Sequence, residues 1–64
     1  MNKQEYVSFS DFSAKMIDLN AIGPEIEFMD DNVTEDWWSE DETKVVGYIR
    51  YWDSGKVDYV ITGN

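Results

Sequence analysis

The sequence predicts an α+β fold: one N-terminal helix packed on an antiparallel sheet of three to four strands that ends in a C-terminal β-hairpin. Three observations carry this expectation. An apolar stripe at helical spacing lies near the N-terminus, an alternating segment follows it, and two β-rich runs at the C-terminus flank a glycine-containing turn. At 64 residues the chain, 1–64, is expected to be a single domain, because nothing this short buries two independent cores.

The first element is "YVSFSDFSAKMIDLNAIG". Phe9, Phe12, Met16 and Leu19 recur at steps of three and four, which on a helix makes one apolar face. Ser8 suits the N-cap, with Asp11 three residues on as its capping-box partner, and Val7 and Phe12 then occupy the two positions of a hydrophobic staple. Gly23-Pro24 is the expected stop, giving a helix near residues 9–21. A short strand over Tyr6–Phe9 is the competing reading.

"PEIEFMDDN" alternates, with Glu25 and Glu27 expected outward and Ile26 and Phe28 inward, and it ends in the turn-prone Asp30-Asp31-Asn32. "VTEDWWS" fits either a second strand or a loop, and periodicity does not decide between them. The C-terminal "KVVGYIRYW-DSG-KVDYVITG" is the strongest signal. Pairing Trp52 with Lys56 puts Tyr51 opposite Val57, Ile49 opposite Tyr59 and Gly47 opposite Ile61, one apolar face throughout. On the other face Arg50 meets Asp58, a complementary cross-strand pair. A slip of one residue would mix the faces. Gly47 leaves a gap on the core face that a helix side chain such as Phe12 can enter.

Composition excludes much chemistry. There is no cysteine and no histidine, so disulfides, thiolate catalysis, Cys-based zinc sites and the commonest general base are all missing. Fourteen Asp and Glu against five Lys and Arg give a formal net charge of −9, which argues against direct binding to nucleic acid or to an anionic membrane. No apolar run is long enough to span a bilayer, no signal peptide is legible, and a cytoplasmic location is expected. Disorder is disfavoured by the patterned apolar residues, 42% of the chain, and stays open only for residues 30–43.

That last segment, "DDNVTEDWWSEDE", places seven carboxylates around two adjacent tryptophans without one basic residue. Paired carboxylates can run acid–base chemistry when an apolar pocket raises one of them, but so small a chain has little volume for such a pocket, and no enzyme activity is expected. Read as a calcium loop from Asp30, the segment has Glu35 where glycine is required and Trp38 at the ninth position, so no metal or other cofactor is expected. Carboxylates clustered on a compact scaffold can instead imitate phosphates and occupy the basic groove of a nucleic-acid-binding protein, a nuclease or effector complex. The tryptophans would add contact surface and stack on Arg. The candidate contact set is Asp30, Asp31, Glu35, Asp36, Trp37, Trp38, Glu40, Asp41 and Glu42. On a strand, adjacent tryptophans face opposite sides, so one of the pair can simply belong to the core. The acids can equally be a solvated device for solubility and edge protection, on a regulatory module or homodimer.

In its size, its charge and its lack of catalytic residues, though in no family motif, the chain resembles the small acidic inhibitors that phages make against host restriction or CRISPR nucleases. Acidic antitoxins and nuclease immunity proteins are similar in character. The resemblance implies a stoichiometric inhibitor acting by nucleic-acid mimicry in a host cytoplasm.

Overall fold

The computed structural model describes residues 4–62. The elements follow in the order β1 (Gln4–Val7), α1 (Phe9–Asp18), β2 (Ile22–Phe28), β3 (Asn32–Trp38), β4 (Val45–Trp52) and β5 (Val57–Thr62). All five strands form one antiparallel sheet in the order β1-β5-β4-β3-β2. The class is α+β as expected, with one correction: the described residues form five strands rather than three or four. The extra one is β1, whose four residues are too few to display a period of two and which pairs with β5 from Gln4↔Thr62 to Val7↔Tyr59. "VTEDWW" is a full strand, hydrogen-bonded to neighbours on both sides, so the block from Asp30 to Glu42 is built into the fold. Among the described residues no helix is long and apolar enough to cross a membrane.

The two readings of the N-terminal segment share it: a strand to Val7, then a helix from Phe9. Ser8 adopts extended backbone and its hydroxyl accepts from the Asp11 amide at 3.2 Å, satisfying one of the open amides of the first turn. Val7 and Phe12 both join the core, as a staple requires. The helix ends earlier than the Gly-Pro pair suggested. Asn20 takes the left-handed conformation, φ 53°, with its amide donating to Ile17 O while the Ala21 amide reaches Met16 O. This is a Schellman closure in which asparagine replaces the usual glycine, and it brings Ala21 back onto Met16.

The C-terminal hairpin has the register its sequence predicts: Tyr51↔Val57, Arg50↔Asp58, Ile49↔Tyr59 and Gly47↔Ile61. Helix α1 packs on β4 and β5, and Phe12, Met16, Val46 and Ile49 are the buried centre of the contact. Gly47 is the seat. A Cβ there would lie 2.7 Å from Met16 Cε and 2.9 Å from Phe12 Cε1, distances no side chain tolerates without movement. Val46 reaches the same cluster because the β3–β4 register shifts between Trp37 and Trp38, which leaves Val46 as the additional residue of a bulge.

Among the described residues the opposite face of the sheet has no covering layer, yet Val60 on it is fully buried, flanked in register by Tyr6 and Tyr48. The Arg50 guanidinium stacks on the rings of Tyr48 and Trp52, 5.1 and 5.5 Å from their centroids. Arg50 stands opposite Asp58 as expected, but the carboxylate is engaged elsewhere: it accepts from Trp52 Nε1 at 2.9 Å and lies 3.9 Å from Lys56 Nζ. A second expectation is corrected on β2. Ile26 and Phe28 point to the helix side, but the helix packs mainly on β4 and β5, away from this edge of the sheet, so they remain 51% and 81% exposed.

Candidate partner-binding face

Strand β3 positions the acidic segment, and the alternation of a strand separates its two tryptophans. Trp37 turns to the helix side and packs against the core with Phe12, Met16 and Ile49. Gly23 makes room for it: a Cβ on Gly23 would lie 2.8 Å from Asp36 O and 3.3 Å from Trp37 Cα. The β2–β3 register shifts across Gly23 and Pro24, which are joined by a cis peptide. Trp38 is directed to the outer face, where its Nε1 donates to Glu25 Oε1 at 2.9 Å. One tryptophan of the pair is therefore structural and the other orients a carboxylate.

The carboxylates of the segment divide among four places. Asp30 and Asp31 are exposed at the tip of the β2–β3 turn, Asp31 accepting from Asn32 Nδ2 at 2.7 Å. Glu35 lies on the helix side and accepts from the Tyr51 hydroxyl at 2.8 Å. Desolvation, and then the neighbouring Glu35, push the Tyr51 phenol up to about 12, so it remains a donor at any physiological pH. Glu40, Asp41 and Glu42 occupy the β3–β4 turn. Asp41 accepts from Ser39 Oγ at 2.7 Å and from Thr43 Oγ1 at 2.8 Å, and these bonds hold it below the usual carboxylate range. It is a turn-building residue.

Asp36 is on the outer face together with Glu25 and Glu27, its neighbours on β2. Repulsion from Asp36, then a hydrogen bond shared with it, raise the Glu27 carboxyl above its ordinary value, with Glu25 adding a smaller push. Glu42, held at φ 62°, lines the same surface hollow as Trp38 and Glu25. The outer side of the β2–β3 hairpin thus carries three carboxylates, of Glu25, Glu27 and Asp36, beside the Trp38 indole, and Glu42 joins them from the β3–β4 turn as a fourth. Among the described residues the only ion pair is Lys56–Asp58, so none of the four is salt-bridged, although Arg50 lies on the same outer face, stacked on Tyr48, the residue opposite Asp36.

Of the candidate set, the structure brings together Asp36, Trp38 and Glu42. It sets Asp30 and Asp31 at one end of the hairpin, puts Glu35 and Trp37 on the other side of the sheet, and ties Asp41 into its own turn. Glu25 and Glu27 join the face without having been candidates. Their outward direction was legible from alternation, but their place beside Asp36 follows only once the acidic segment is itself a strand. None of these four carboxylates lies in an apolar enclosure, and no group of three or more metal-ligating side chains is placed to hold an ion among the described residues. Compared with known proteins, the chain shows no significant match to a family model, a curated protein or a solved structure.

Proposed function

We propose that this protein is a stoichiometric inhibitor that binds a basic, nucleic-acid-handling protein through the outer side of its β2–β3 hairpin, presenting carboxylates where the target expects phosphates. The observation that carries the reading is the register that sets Glu25, Glu27 and Asp36 side by side on one face of the β2–β3 hairpin, a crowding that also raises the Glu27 carboxyl. A surface that gathers like charges with no salt bridge among them holds repulsion that an incoming Lys or Arg relieves. Trp38 supports it, as an indole fixed by Glu25 at the centre of the acids and able to stack on an arginine. Interaction energy that would be screened between isolated surface charges accumulates when several face one basic groove.

The test uses the immobilised protein and a lysate. Wild type should retain a nucleic-acid-binding protein that duplex DNA or RNA elutes, with retention falling steeply as salt rises. The variant carrying Glu25→Lys, Glu27→Lys, Asp36→Lys and Glu42→Lys should lose that partner while keeping its circular dichroism spectrum. A partner that resists both nucleic acid and salt, and that the four-lysine variant still holds, would overturn the reading. It would favour the second one, a regulatory module or homodimer with acids serving solubility, which the exposed Ile26 and Phe28 support. Sedimentation of the purified chain separates these, because a homodimer should reveal itself without a partner.

A further inference from the structure

We propose that the free edge of β2 accepts an added β-strand from the partner, an extended segment in which Lys or Arg alternates with apolar residues. The proposal rests on the partner's being basic and adds how it is held. In the sheet order β2 is terminal, so among the described residues nothing pairs with its outer side. The Met29 amide donates to Asn32 O, which fixes the phase of the β2–β3 ladder. Alternation of an antiparallel pair then gives Glu27 and Glu25 the bonds to β3 and turns the backbone N–H and C=O of Ile26 and Phe28 toward the open edge. Two residues with free main-chain groups are a template for strand addition.

Side chains on the same stretch state what the added strand must be. Glu25 and Glu27 stand on the outer face, and Ile26 and Phe28 on the helix side, where the register rows Ile49–Glu35–Ile26 and Tyr51–Val33–Phe28 stop at the edge. A strand laid along β2 would continue both rows: an apolar residue beside Ile26 and Phe28, a cation beside Glu25 and Glu27. This accounts for a phenylalanine that is 81% exposed on a regular strand. A second copy of β2 does not meet the requirement, because it would set Glu25 and Glu27 against glutamates, directly opposed like charges. Pro24 and the bulge at Gly23 limit the usable edge to Glu25–Phe28.

The experiment titrates the full chain, isotopically labelled, with a synthetic peptide of alternating valine and lysine. Amide shifts should centre on Ile26 and Phe28, and the same peptide N-methylated at its valines should bind about tenfold more weakly or worse, having lost its edge-facing donors. A peptide with glutamate for lysine should not bind. The Ile26→Pro variant removes an edge-facing donor that β3 does not use, so it should keep the hairpin contacts of the fold and lose the peptide. Equal binding by the N-methylated peptide would overturn the proposal. So would shifts gathered on Phe9 and Ile17 beside the helix, or self-association through β2 in the absence of peptide. If Ile26→Pro leaves lysate capture intact while the four-lysine variant abolishes it, the edge plays no part and the acidic-face reading stands alone.

Discussion

Gly47→Ala probes whether the helix is seated where the structure puts it. The new methyl would stand 2.7 Å from Met16 Cε, 3.1 Å from Met16 Sδ and 2.9 Å from Phe12 Cε1. The methionine end can swing aside, but Phe12, 2% exposed, moves only if the helix moves. Overpacking of this kind costs about 1–3 kcal/mol. Against it stands a gain of about 0.4–1 kcal/mol from stiffening the unfolded chain, available because Gly47 does not use the left-handed conformation. Taken at the middle of both ranges the balance is a loss of about 1–2 kcal/mol, from a total of roughly 3–10 kcal/mol for a domain of this size. Thermal unfolding should fall by about 4–16 °C. Repeating the substitution on a Met16→Leu background, where the terminal methyl is gone, should shrink the loss, and urea midpoints at constant slope would measure both legs of the cycle. An unchanged or raised melting temperature for Gly47→Ala, or an identical loss on the Met16→Leu background, would refute the close contact.

Other substitutions have separate expected outcomes. Phe12→Ala should cost about 3–5 kcal/mol and leave the chain largely unfolded at 37 °C, read from circular dichroism. Trp37→Ala should lower stability by about 3 kcal/mol. Trp38→Ala should change it by less than about 1 kcal/mol while weakening partner binding by about 2 kcal/mol or more, so melting curves and binding on the same two proteins separate the roles. In a carbon-detected titration Glu27 should titrate above 4.5 and Asp41 below 3.8. The signs for stability differ. The raised Glu27 favours the fold below its unfolded value and loses that contribution as pH rises through its folded one, so Glu27→Gln should be at least as stable as wild type at neutral pH. The lowered Asp41 favours the fold above 3.8 and loses its contribution as pH falls through the lower folded value, a loss that Asp41→Asn should not show.

The hairpin from Lys44 to Gly63 was legible because turn, apolar alternation and charge pairing all require one register. Its structural confirmation ends at Thr62, the last described residue of the run. The glycine gap was legible for a related reason: an empty position on a crowded face must be filled from the neighbouring layer. β1 was legible only as a competing strand over Tyr6–Phe9, because its pairing is written in β5, at the far end of the sequence, and not in its own four residues. Ile26 and Phe28 read as buried because alternation reports which side a residue faces, not whether anything stands there. The candidate site suffered from the same limit. Adjacency in sequence gathered Glu35, Asp36, Trp37 and Trp38 into one surface, whereas a strand sends them alternately to opposite sides. The Arg50–Asp58 pairing shows a finer version: register set the two opposite each other, but stacking on Tyr48 and Trp52 took the guanidinium.

The order of the strands carries a kinetic consequence. From β2 to β5 every pairing joins consecutive strands through a short turn, so that meander can form from local contacts with little loop-closure entropy. β1 breaks the sequence: it returns to β5 from the opposite end of the described chain, and α1 travels with it. The helix and β1 should therefore dock late, onto a meander whose Gly47 seat already exists. Changes in the Asp53–Gly55 turn, where Gly55 needs φ 96°, would then chiefly slow folding. Changes at Phe12 would chiefly hasten unfolding, which makes the helix the latch that sets how long the native molecule lasts.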